Sequence, residues 1–309
     1  MSFISGLKAE YTQKRINKIK ELEVNLNKQE GSIKSNNFSP NMVVVEKKTP
    51  LRAFPTMLSI GRNIDYSFKS LKNNPKIPQN KISSELLNEF EENAHSLGIM
   101  SIGYTKITPE IIFKDKSVLY ENTIVLTKEI DKNAVDNEFN DKTVNDLKLY
   151  DELGKITNRL VDYLRINGFG AQASHPAIGS VTYPALAQYA GLGWKGKNNL
   201  LITPELGPRQ KITAIFTSID NLPFNKNNQH SWIPKYCNMC GKCITKCPEQ
   251  AIKEIKTNNE IYKSKITPEL CRGCNESCTI CMSECPFNKQ DYGSVKKRFE
   301  KINKKSLSS

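Results

Sequence analysis

What the chain lacks narrows it first. No run of eighteen apolar residues occurs among its 309 positions and the mean hydropathy is -0.51, so the sequence offers no segment suited to spanning a bilayer as a helix. Met1-Ser2-Phe3-Ile4 has neither a basic n-region nor a twin arginine, and the expectation is a soluble, cytoplasmic protein with no membrane partner. Cysteine is absent from the first 236 residues, which excludes a disulfide framework distributed along the chain. Neither a P-loop nor a GxGxxG fingerprint behind a strand is present.

All nine cysteines instead fall within residues 237–285, as Cys237-x2-Cys240-x2-Cys243-x3-Cys247-Pro248 and Cys271-x2-Cys274-x3-Cys278-x2-Cys281-x3-Cys285-Pro286. Two repeated CxxxCP endings are the ligand pattern of two [4Fe–4S] clusters, in which three closely spaced thiolates hold one cluster and the fourth, ahead of proline, crosses to the other. Cys237, Cys240 and Cys243 are then assigned to cluster one and Cys247 to cluster two, with Cys278 and Cys281 in the second motif and Cys285 crossing back. Either Cys271 or Cys274 is spare. Structural zinc is the competing reading of the CxxC pairs, but it gives no reason for the CxxxCP repeats.

The net charge of +13 sits on the flanks. Residues 1–80 carry 14 Lys/Arg against 6 Asp/Glu and residues 292–309 carry 6 against 1, while the middle is neutral. Such ends suit a phosphate-bearing partner such as tRNA, or an acidic protein, as well as plain solvation.

Along the chain, Leu7, Tyr11, Ile16, Ile19, Leu22 and Leu26 recur at helical spacing and predict an amphipathic N-terminal helix. Residues 30–80 are rich in Asn, Lys, Ser and Pro and read as an irregular extension with a short helix near 66–71. The compact core is expected from about residue 82, where Ser83-Ser84-Glu85 opens a capped helix ending at Leu97-Gly98. Apolar runs at 99–104, 123–127 and 212–217 predict buried strands. Leu149, Leu153, Ile156, Leu160 and Leu164 predict another amphipathic helix, and the alternation points to an α/β fold. The expected organisation is a basic extension (1–81), an α/β domain (82–228), a ferredoxin-like domain (229–291) and a basic tail (292–309).

Between the α/β strands and the cysteines lies a second informative stretch, in which a helix beginning near Tyr183 runs into Gly191-Leu-Gly193-Trp194-Lys-Gly196-Lys197-Asn198. Glycines that allow close backbone approach, followed by lysine and asparagine donors, fit a loop cradling a bound group; they fit a structural turn equally well.

Ala190-Gly-Leu-Gly-Trp-Lys-Gly-Lys197, Leu200-Leu-Ile-Thr-Pro-Glu205 and Cys281-Met-Ser-Glu-Cys-Pro-Phe-Asn-Lys289 together resemble the superfamily of epoxyqueuosine reductases and reductive dehalogenases, over roughly residues 83–290. Ile202-Thr-Pro-Glu-Leu-Gly-Pro-Arg209 and Leu222-Pro-Phe224 look more like the dehalogenase branch. The resemblance implies a nitroreductase-like α/β core that binds cobalamin base-off, fed with electrons by the two-cluster ferredoxin-like domain, with a ferredoxin or flavodoxin as donor. It implies corrinoid contacts from Gly191, Gly193, Trp194, Lys197, Asn198 and Leu201, and favours Cys271 over Cys274 as ligand. Base-off binding needs no D-x-H-x-x-G motif; the nearest segment, Asn93-Ala-His95-Ser-Leu-Gly98, reads as structural. The acidic proton donor of epoxyqueuosine reductases has no counterpart, since Ala177 stands at its place. A dehalogenase-type tyrosine donor points to Tyr183, with His175 as the other candidate. Three functional classes follow: a corrinoid iron–sulfur reductase acting on a modified nucleoside or organohalide, an electron-transfer protein without corrinoid, and a basic RNA- or protein-binding factor with structural clusters.

Overall fold

The computed structural model describes residues 51–113, 116–136, 139–255, 263–273 and 278–307; the helix predicted over 5–28 and Cys274 lie outside them. The elements run α1 (Phe54–Lys69), α2 (Ser84–Ser96), β1 (Ser101–Lys106), β2 (Asn122–Glu129), α3 (Lys132–Asp136), α4 (Phe139–Ile166), β3 (Ala171–Ser174), α5 (Tyr183–Tyr189), β4 (Trp194–Lys195), β5 (Leu201–Ile202) and β6 (Gln210–Thr217). The cysteine-rich lobe follows, with α6 (Ile233–Cys240), α7 (Lys242–Thr245), β7 (Ile252–Ile255), β8 (Lys263–Ile266), α8 (Ile280–Ser283), α9 (Pro286–Lys289) and α10 (Tyr292–Leu307).

The three long apolar runs become β1, β2 and β6 of a four-stranded antiparallel sheet in the order β1-β2-β6-β3. Successive strand side chains point to opposite faces, which is why β2 is buried on both. Ile124 and Leu126 face α2 and α4 through Phe90, Leu153, Leu160 and Leu164, while Val125, with Ala214 and Phe216 of β6, faces Leu186 and Ala187 of α5. Each large apolar side chain so buried is worth about 1.5–3 kcal/mol. Helix α2 starts as its sequence predicts: the Ser83 hydroxyl accepts from Leu86 N–H at 3.2 Å, and Gly98 takes φ +86° beyond its end.

The proline-rich stretch departs from the irregular extension read in it. Its described part, from residue 51, forms the sixteen-residue helix α1, of which the short helix expected near 66–71 is the end, with Pro55 in the first turn where a missing N–H costs nothing. Ile60 and Ile64 bury against Leu147 and Tyr150 of α4 and against Ala177 and Ile178. Asn63 Nδ2 donates to Asp151 at 2.7 Å, and Ser67 Oγ donates to Asn158 Oδ1 at 2.9 Å. The core therefore begins well before residue 82. Among the described residues no helix is long and apolar enough to cross a membrane.

Candidate functional site

Helix α6 presents Cys237 and Cys240 and ends at Gly241, whose φ of +56° turns the chain so that α7 can present Cys243. Pro286 opens α9, and Cys285 sits immediately before it as its N-terminal flank. These four thiols line one cavity of ≈ 300 Å³, its open mouth included, together with Ile202, Tyr236, Phe287, Lys197 and Asn198. The crossing of Cys285 to the first motif is thus realised. Among the described residues no three His, Cys, Asp or Glu side chains are grouped closely enough for a single ion. Burial, with mutual repulsion of the thiolates, pushes Cys237 and Cys285 up to about 12 and Cys243 up to about 11. Such thiols ionise only beside a compensating charge, which the irons of a cluster supply. Backbone hydrogen bonds from Lys197 to Cys237 and from Phe287 to Cys285 also favour the thiolates. The donor set fits a four-iron cluster.

The second set is only partly described. Cys247 follows α7, Cys278 and Cys281 flank the start of α8, and α7 packs on α8, so the motifs lie side by side. Cys271 is exposed and Cys278 and Cys281 are half-buried.

The glycine-rich segment is occupied by the protein itself. Gly191 has φ +77°, and a Cβ there would stand 1.6 Å from Asn225 Nδ2; one on Gly193 would stand 2.2 Å from the Ile202 carbonyl oxygen. Glycine at 193 lets the β4–β5 hairpin close, pairing Trp194 with Ile202. Trp194 packs with the lobe's apolar cluster, and Leu201 is 1% exposed in the core. Lys197, with its side chain 5% exposed, pairs with Glu254, and Asn198 Nδ2 donates to the Cys281 carbonyl at 3.0 Å. Of the six residues assigned to a corrinoid, Trp194, Lys197 and Asn198 thus join the α/β body to the cluster lobe, while Gly191, Gly193 and Leu201 pack within the body and its hairpin. As a donor set they do not fit a corrinoid, because the Lys197 and Asn198 side chains are already engaged within the protein.

The two sequence candidates for proton donor are inward-facing. The Tyr183 hydroxyl lies 2.8 Å from Ser174 Oγ and donates to the Ser174 and His175 carbonyls at 2.9 and 3.0 Å, with burial raising its pKa above the ordinary tyrosine value. His175 is 3% exposed; its Nδ1 accepts from Ala177 N–H at 3.1 Å, and Nε2 abuts Gly154, where a Cβ would come within 2.2 Å. Desolvation lowers His175 to about 3, so at neutral pH it is uncharged. His175, expected as a donor candidate, is thus wedged against Gly154 of α4.

Beside them lies a group that sequence reasoning missed. Lys211 of β6 pairs with Asp146 of α4 at 2.7 Å, both side chains nearly buried (11% and 12% exposed), and its ammonium lies 4.0 Å from the Tyr150 ring centroid. Tyr150 is close enough to Tyr183 to raise its pKa. Asp146 Oδ2 is buried without a hydrogen-bond partner. A lysine so far along the chain from Asp146 and Tyr150 leaves no motif; only helix periodicity, which sets Asp146 and Tyr150 four apart on one face, hinted at it.

A model of the 4Fe-4S binding domain matches residues 230–253. Tetrachloroethene reductive dehalogenase of Desulfitobacterium hafniense is 28% identical over 216 residues, which is 62% of this chain and 37% of that protein. Epoxyqueuosine reductase of Gloeobacter violaceus is 32% identical over 150 residues, 44% of this chain and 45% of that one. Among solved structures, a reductive dehalogenase studied for B12-dependent dehalogenation superposes with a TM-score of 0.62 at 18% identity, covering 82% of this chain and 40% of that chain, which shows a shared fold. The chain thus spans less than half the length of these relatives. The cysteine site and the matched domain model define an iron–sulfur protein. Within that class, the chain belongs to the superfamily that reductive dehalogenases and epoxyqueuosine reductases share.

Proposed function

We propose that the protein is a reductase that takes low-potential electrons into two [4Fe–4S] clusters and delivers them to the α/β body for the reduction of a modified nucleoside or an organohalide-like substrate; a base-off cobalamin would supply the reducing metal there. The observation that carries the reading is the meeting of Cys285 with Cys237, Cys240 and Cys243 at one cavity whose wall, through Lys197, Asn198 and Ile202, belongs to the α/β body. Cluster one then sits where the lobe and the body touch. Cys247, Cys278, Cys281 and one of Cys271 and Cys274 hold cluster two. Kinship supports the corrinoid. The glycine-rich segment does not.

Reduction that leaves a carbanion or alkoxide calls for a proton. Tyr150 is the donor this geometry favours over Tyr183 and His175, with Lys211 compensating the phenolate and Asp146 holding Lys211 in place. The engaged glycine segment favours a second reading, an electron-transfer iron–sulfur protein without corrinoid. One experiment separates them: anaerobic reconstitution with iron, sulfide and cobalamin, desalting, then an absorbance spectrum. Retained corrinoid, together with halide release from a bromophenol that Tyr150→Phe suppresses, supports the reductase. Iron and sulfide bound at about eight each per chain with no corrinoid retained supports the electron carrier, and iron-free or zinc-loaded protein overturns both.

A further inference from the structure

Helix α10 is asymmetric in what it buries and what it shows. Val295 (0% exposed) and Phe299 (6%) pack with Ile233, Tyr236, Phe287 and Cys285. Tyr236, Phe287 and Cys285 also line the cavity of the first thiol set. Phe299 lies 5.4 Å from Trp232 and 6.4 Å from Tyr236, between ring centroids. The remaining surface of the helix carries Lys296, Lys297, Arg298, Lys301 and Lys304, all exposed, against one carboxylate, Glu300. One layer of aromatic rings therefore separates a strongly basic surface from the site of cluster one. Ile302 on the same helix is 41% exposed, and Met239, next to Cys240, is 49% exposed.

We propose that this face docks an acidic one-electron carrier protein of the ferredoxin or flavodoxin type, which delivers its electron to cluster one; the proposal rests on the iron–sulfur reading above. The carrier loses one electron and the cluster gains one, with no bond made or broken and no proton moved. The surface suits such a partner. Concentrated charge steers an oppositely charged protein and raises its on-rate, while scant exposed apolar area lets it leave again. It suits RNA less well, because sequence-tolerant binding of single strands uses aromatic platforms, and in this helix Phe299 is buried and Tyr292 half-buried.

The test uses the reconstituted full chain, its Lys297→Glu/Lys301→Glu variant and the milder Lys297→Gln/Lys301→Gln variant, with oxidised plant-type ferredoxin, and separately flavodoxin, as calorimetric titrant at low and high salt. Expected are salt-sensitive binding by the wild type, at least about tenfold weaker binding by the charge-reversed variant at low salt, and an intermediate Gln variant. Iron content and the rate of reduction by dithionite should be unchanged. Equal affinity of all three proteins, or no binding of either carrier to the wild type, overturns the proposal. So does a result in which the reversed variant loses only affinity for a tRNA stem-loop. Failure of the iron–sulfur reading is separately visible, as a wild-type chain that takes up no iron.

Discussion

Cys285 lies in the second motif but belongs spatially to the first. Cys285→Ser should therefore empty cluster one and spare cluster two, dropping bound iron from about eight to about four per chain, with acid-labile sulfide falling in step. Iron analysis after anaerobic desalting checks this, and loss of both clusters would mean that the lobe does not hold either one alone. His175 gives a pH prediction. It is held to about 3 when folded, against an ordinary 6.5. Between those values the unfolded chain takes up a proton that the folded chain refuses, so stability falls as pH falls from about 6.5 toward 3, by up to about 1.4 kcal/mol per pH unit. His175→Gln should lose about 2 kcal/mol less than the wild type between pH about 7 and about 5 in urea unfolding. Equal losses would show that the imidazole titrates freely in the fold.

At the scale of elements, α10 and the β4–β5 hairpin matter most. Phe299→Ala should destabilise the lobe by about 3–5 kcal/mol, as large-to-small changes at buried aromatic positions do. Because Phe299 packs on Tyr236 and Cys285, lowered retention of cluster one should accompany the lowered unfolding midpoint. A midpoint unchanged from wild type would place α10 off the lobe. The hairpin revises the reading of its own glycines. With the Ile202 carbonyl against Gly193, any side chain there forces two backbones apart beside the cluster cavity, so a loss of corrinoid in Gly193→Val would report the hairpin rather than a ligand contact.

For the molecule as a whole, the flanks were read as ends outside a neutral core, and the C-terminal one is more than that. Residues 292–309 carry five of the thirteen net charges, yet their helix also buries Val295 and Phe299. Deleting 292–309 should therefore reduce iron retention as well as partner binding. The charge variants at Lys297 and Lys301 should affect partner binding alone. Matched iron assays on the truncation and the charge variants test the distinction, and equal iron content in both would return the tail to the role of a solvated end.

The cysteine spacing by itself determined the cluster motifs, because ligand separation along a short loop is a property of local chain geometry. The alternating apolar runs likewise determined β1, β2 and β6, and the Ser83 cap determined the start of α2. Only the tertiary structure decided what lies next to what. Pro55, read as a sign of irregular chain, opens a helix because α4 offers Ile60 and Ile64 a surface to bury. The glycines at 191 and 193, legible as sites of close approach, turn out to approach Asn225 and Ile202, which sequence does not specify. Lys211 meets Asp146 and Tyr150 because β6 lies across α4, and the energy of a buried ion pair depends on separation in space rather than in the chain.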